Sequence, residues 1–152
     1  MNLLETSFLL VRIPAYSVNR TKRLVKSPKL YWGDTGVALH LAETSEPGGE
    51  HLENLILNDL LAWRDSRVAR AEIFYWQTRT GEDVDFVIES GDRLLPIEIK
   101  STERPKYDDM KHLRTFSSEY GKQSRSGLLL HNGKLLDWLA PNVLAAPWWM
   151  VI

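Results

Sequence analysis

Cysteine is absent from the 152 residues. That excludes disulfides, iron–sulfur clusters, thiolate-ligated zinc and cysteine nucleophiles. No apolar run approaches the ~20 residues of a membrane span. The opening Met1-Asn2-Leu3-Leu4-Glu5 lacks the basic start of a signal peptide, and Arg12 interrupts the apolar stretch behind it. The expected address is the cytoplasm, with no membrane partner. Charge of one sign is missing too: the formal net charge is −1, so overall charge does not announce a nucleic-acid binder. No phosphate-binding G-x-x-x-x-G-K-[ST] loop occurs, since Gly121-Lys122 runs on into Gln123 and lacks the upstream glycine. No G-x-S-x-G elbow is present. His40, His112 and His131 have no ligand spacing, and His51-x-Glu53 lacks the cysteines that would complete a zinc-deaminase site.

What remains is an ordinary globular composition, 43% apolar and 26% charged. The length fits one domain, and a chain this long buries ~70% of its unfolded surface without needing staples. Six tryptophans are many for this length. They read as packing residues, with base stacking the weaker option. Charge is segregated locally. Arg12, Arg20, Lys22, Arg23, Lys26 and Lys29 form a stretch without acids, and Glu43, Glu46, Glu50, Glu53 and Asp59 one without Lys or Arg. Both read as solvated faces, the basic one with the option of phosphate contact.

Periodicity and turn chemistry predict the elements. Strands are expected over Phe8–Ile13 and Lys29–Trp32, then a short helix capped by Asp34 and running through Leu41. A loop at Glu46–Gly49 precedes a helix from His51 to Trp63. Strands follow at Ala71–Thr78, Val84–Ile88 and Leu94–Ile99, the last two joined as a hairpin across Ser90-Gly91-Asp92-Arg93. A helix over Asp108–Tyr120, a strand over Gly127–His131 and a terminal strand over Pro147–Ile152 complete the chain. The fold class is α/β, a mixed central sheet flanked by helices. It reads as a single domain over 1–152, with 1–47 a strand-rich extension to a core at 48–152.

The hairpin carries the chemistry. With Ser90 opposite Arg93, Asp85 falls opposite Glu98 and Asp83 opposite Lys100. Alternation then puts Asp85, Glu98 and Lys100 on one face, and Val84, Phe86 and Ile88 on the other with Leu95, Ile97 and Ile99. Opposed carboxylates repel unless a positive group lies between them. Mg²⁺, usually held by one or two carboxylates plus water, fits that requirement. Lys100 could orient a water or offset charge on a phosphate. On the preceding helix, Glu53 shares an arc with Leu57 and Leu60 and leans toward the packed side, while Asn54 and Asn58 point away. Alternating charges on a strand are more often a solvated face than a site.

These residues resemble a known family. Glu53, Asp85-Phe86 and Glu98-Ile99-Lys100, in the order helix–strand–strand–strand–helix–strand, resemble the PD-(D/E)xK nuclease superfamily with its restriction-endonuclease-like core. Ser27-Pro28-Lys29-Leu30-Tyr31-Trp32-Gly33-Asp34-Thr35-Gly36, His51-Leu52-Glu53-Asn54, Glu82-Asp83-Val84-Asp85-Phe86 and Ile97-Glu98-Ile99-Lys100-Ser101 are similar to the C-terminal domain of prokaryotic AAA-type ATPases, a domain of unknown function. The resemblance implies Asp85 and Glu98 as metal ligands, the Ile99 carbonyl as a third, Lys100 as the catalytic lysine and Glu53 as the helix carboxylate. It implies Mg²⁺ or Mn²⁺ as cofactor and DNA or RNA as substrate. Without the ATPase half, the chain reads as a stand-alone or truncated C-terminal domain. The alternative is a non-catalytic module with the same fold, serving self-association or an AAA-type ATPase partner.

Overall fold

The computed structural model describes residues 2–19, 26–44 and 46–151. Arg20, Lys22 and Arg23 of the basic stretch therefore lie outside the described residues, as does Ile152. A short helix α1 (Asn2–Thr6) leads into β1 (Leu10–Ile13), which pairs antiparallel with β2 (Lys29–Trp32). Phe8 departs from its expected strand because its φ is 59°, outside extended space. Helix α2 (Thr35–Leu41) starts where the Asp34 carboxylate accepts the Val37 N–H at 2.9 Å, as its sequence predicts. The long helix α3 (Gly49–Ser66) follows.

The main sheet contains β3 (Glu72–Gln77), β4 (Asp83–Ser90), β5 (Arg93–Lys100), β6 (Gly127–His131), β7 (Asp137–Ala140) and β8 (Val143–Pro147). Its order is β3-β4-β5-β6-β8-β7. β5, β6 and β8 run parallel, and the remaining neighbours are antiparallel. A 3₁₀ turn (Tyr107–Met110) and helix α4 (Lys111–Tyr120) make the crossover from β5 to β6. The fold is thus mixed α/β, with a six-stranded mixed sheet flanked by helices.

Two cores cover the two faces of this sheet. On one, Ile56, Leu57 and Leu60 of α3 pack on Ile73, Tyr75, Phe86, Ile88, Ile97, Ile99, Leu128 and Leu130. On the other, Leu113 and Phe116 of α4 pack on Phe74, Trp76, Val84, Val87, Leu94 and Leu129. Strands buried on both faces read as continuous apolar runs, which is why Leu128-Leu129-Leu130 is fully apolar. The predicted terminal strand over Pro147–Ile152 is corrected: the ladder is Val143–Pro147, and Trp148–Met150 turn into a 3₁₀ helix. Pro147 has no N–H to extend a ladder, so the chain leaves the sheet there.

The face prediction for β4 is corrected as well. Phe74 pairs with Val87 but Trp76 with Val84, so Asp85 and Phe86 together oppose Tyr75. This is a β-bulge with the extra residue on β4. It breaks the two-residue period and sends Val84 to the α4 face, while Phe86 and Ile88 stay on the α3 face.

Candidate functional site

The hairpin register is the one its turn and alternation predict, from Ser90 opposite Arg93 to Phe86 opposite Ile97. The ladder stops there. Beyond it, β4 remains with β3 through Gln77↔Asp83, and β5 remains with β6 through Lys100↔His131. The sheet forks, and Asp85 sits at the fork. Its Oδ2 accepts the Ile99 N–H at 2.8 Å, in place of a ladder partner. The Ile99 carbonyl points to the same side of β5 as its N–H, toward the gap.

Asp85 and Glu98 therefore do not form the ladder rung that simple alternation predicts. The bulge turns Asp85 toward α3 and β2, where its Oδ1 lies 4.0 Å from Lys29 Nζ. Glu98 pairs with Leu129, a residue of the opposite core, and reaches the fork from the α4 side. The two carboxylates still act on each other, because the Glu98 charge is the second cause of the raised Asp85 pKa, after burial. Glu98 is 3% exposed. Its Oε1 accepts from Lys100 Nζ at 2.7 Å, and its buried Oε2 has no hydrogen-bond partner among the described residues.

Glu53 comes from α3, half-buried, as its helical arc predicts. It accepts a short hydrogen bond from the Tyr31 hydroxyl and lies 3.4 Å from Lys29 Nζ. Asn54 does not point away. It is buried, accepts the Trp32 N–H at 2.8 Å and donates to the Trp32 carbonyl at 3.0 Å. One side chain thereby satisfies both backbone groups of Trp32 and pins β2 to α3. Lys29 and Tyr31 join the site from β2, beyond the residues that the sequence singles out. The signal was their spacing: two residues apart on a strand, they share a face.

The end of β5 is held from the other side. Asn132 N donates to the Thr102 carbonyl at 2.9 Å, and Asn132 Nδ2 to Ser101 Oγ at 3.2 Å. His131 is buried and structural: Nδ1 accepts the Gly133 N–H at 2.9 Å, which makes Nε2 the donor to the Leu135 carbonyl at 3.1 Å. Gly133 has no room for a side chain, since a Cβ there would come within 1.9 Å of the Glu103 carbonyl oxygen.

The electrostatics follow from this packing. Burial, then the charges of Glu98 and Glu53, push Asp85 up to about 8. Burial raises Glu98 to about 7, against the opposing effect of Lys100. Lys100 shifts upward despite its own desolvation, through its hydrogen bond and charge interaction with Glu98, so it remains an ammonium. We assign the carboxyl proton to Asp85, because Glu98 has an ammonium at 2.7 Å and Asp85 has none closer than 4.0 Å among the described residues. Burial, followed by the Glu53 charge, drives Tyr31 far upward, so it stays a phenol and donates.

The fold and this cluster define a class: a mixed α/β domain with three acids and two lysines converging where two central strands part. The chain belongs to the family described as Domain of unknown function (DUF4143), whose profile matches residues 48–150, more than half of its length. A second profile, described as Domain of unknown function (DUF8612), matches residues 1–48. No curated protein and no solved structure matches the chain.

Proposed function

We propose that the domain is a metal-dependent phosphodiesterase with a restriction-endonuclease-like core, acting on DNA or RNA with Mg²⁺ or Mn²⁺. The observation that carries this reading is the buried Glu98 Oε2, without a hydrogen-bond partner among the described residues, at a fork shared with Asp85. A buried carboxylate oxygen without a donor is costly, and a cation removes that cost. Asp85, Glu98 and the Ile99 carbonyl offer oxygen only, the chemistry that Mg²⁺ and Mn²⁺ prefer. Among the described residues no three His, Cys, Asp or Glu side chains form a ready-made metal cluster. Two carboxylates suit an ion that keeps several of its waters, as Mg²⁺ does. The resemblance to the PD-(D/E)xK pattern supports the same assignment of roles.

When bound, such an ion supplies Lewis acidity toward a phosphate oxygen and lowers the pKa of a water. The chain's own residues do the rest. Lys100, kept charged by its acidic neighbours, donates to the attacking water or to the phosphate oxygen on which charge accumulates. Glu98 fixes the Lys100 ammonium at 2.7 Å. Glu53, held by Tyr31, offers an acceptor on the α3 side of the fork.

A second reading, a non-catalytic interaction or self-association module of an AAA-type ATPase system, is favoured by a different observation. β7 ends the sheet, and exposed Leu135, Leu136 and Trp138 lie at that edge, with Trp149 and Met150 exposed after β8. The two readings separate in a cleavage survey of single- and double-stranded DNA and RNA in Mg²⁺ and Mn²⁺. Metal-dependent cleavage, lost in Asp85→Asn purified in parallel, supports the enzyme. Cleavage equal in both proteins comes from a contaminant, and none in any condition leaves the interaction module.

A further inference from the structure

Lys29 occupies an unusual position. Its Nζ lies 3.4 Å from Glu53 Oε1 and 4.0 Å from Asp85 Oδ1, and 5.5 Å from the centre of the Tyr75 ring. Its charge also acts on Glu98. It reaches the fork from β2, in the segment outside the 48–150 family match, and Asn54 of α3 fixes that strand in place. Tyr31, two residues on, holds Glu53 by the same Oε1 that faces Lys29. Three acidic side chains, Asp85 among them as the one that carries the proton, thus share two ammoniums. Lys100 serves Glu98, and Lys29 serves Glu53 and Asp85.

We propose that Lys29 is a tethered counter-ion that competes with the divalent cation for the Glu53–Asp85 side of the fork and so sets the metal concentration at which the site fills. The inference rests on the metal-site reading above and adds its regulation. Acidic side chains alone would not suffice for it. The independent observation is Glu98 Oε2, which reaches the fork from the α4 side, is more than nine-tenths buried and has no donor among the described residues, an oxygen to which neither Lys29 nor Lys100 donates.

The physical argument is Coulombic. An incoming divalent ion is attracted by the three acids and repelled by the Lys29 ammonium at the same short range. In a half-buried setting that repulsion is only partly screened. The Lys29 side chain is 30% exposed and sits on a flexible four-carbon stem, so it can swing away once the ion takes its place beside Glu53 and displaces the Asp85 proton. Lysine suits this task better than arginine because a point charge makes no planar, bidentate grip on a carboxylate.

The test is a calorimetric titration of Mn²⁺ into the wild-type chain, Lys29→Met and Lys29→Arg. Removing the competing cation should tighten Mn²⁺ binding about ten-fold or more, given the strength of unit-charge interactions at this range. Lys29→Arg, which keeps the charge, should bind no more tightly than wild type. The apo form of Lys29→Met should melt lower than wild type, and Mn²⁺ should reverse the deficit. A structural lysine would give the opposite sign, because loosening the site weakens metal binding. Equal or weaker binding by Lys29→Met, with wild type binding measurably, overturns this inference and leaves the metal site standing. No binding by either protein overturns both, and the wild-type arm alone reveals it. Should Lys29→Met fail to fold, Lys29→Gln answers the same question.

Discussion

Lys100→Ala is expected to retain Mn²⁺ binding and to lose phosphodiester cleavage by about 10²-fold or more, the effect typical of removing one preorganised charge-stabilising donor. The reasoning starts from geometry. The Lys100 ammonium contacts Glu98 Oε1, while Glu98 Oε2 and the Asp85 carboxyl remain available to an ion. Lysine is not itself a ligand, so its removal takes a positive charge from beside the fork and no oxygen from it. Metal affinity should hold or rise. The loss should fall on kcat more than on KM if Lys100 acts on charge that develops in the transition state. An interaction module predicts otherwise. Lys100 would then merely offset Asp85 and Glu98, and its removal would lower the melting temperature with no activity to lose. A variant cleaving at the wild-type rate would remove Lys100 from the mechanism.

Asp85→Asn is expected to stabilise the metal-free protein, increasingly so as pH rises. Asp85 and Glu98 both have raised pKa values in the fold, to about 8 and about 7, with burial as the first cause. The unfolded chain releases these protons near pH 4. Between those limits the native state holds more protons than the unfolded state, so stability falls as pH rises through the folded values. Wild-type apo protein should therefore weaken from pH 5 to pH 9. Asparagine can still accept the Ile99 N–H but has no proton to release. Asp85→Asn should come closest to wild type at or below about pH 4 and exceed it by a few kcal/mol at pH 9. Mg²⁺ at 100 times its dissociation constant should add ~2.7 kcal/mol to wild type and nothing to the variant. If Asp85→Asn instead unfolds the apo protein, Asp85 is a structural partner of Lys29 and Ile99.

Much of this architecture is legible along the chain where local chemistry decides it. Lys29–Trp32 and Gly127–His131 end where their sequences predict, because polar or glycine neighbours bound short apolar runs. The β4–β5 register follows from a two-residue turn and alternation. What escapes the sequence is set by distant partners. The bulge at Asp85–Phe86 exists because β4 must satisfy two neighbours in different registers, and no local pattern marks it. The Ala-rich Val143–Pro147 has weak strand propensity and becomes a strand by lying beside β6. Asn54, 22 residues from Trp32, reads as a surface polar residue until β2 arrives to occupy it. The acids and Lys100 of the candidate site are visible in sequence. The Lys29–Tyr31 half is visible only as a two-residue spacing whose target lies on another element.

The most direct test of the central claim is a titration of Mn²⁺ into the purified chain, followed by calorimetry, with Asp85→Asn and Glu98→Gln alongside. The fork geometry predicts saturable binding by wild type, strongly weakened in either variant, with both variants folded as judged by their melting curves. Absence of binding to wild type at millimolar Mn²⁺, or equal binding by all three proteins, would contradict it.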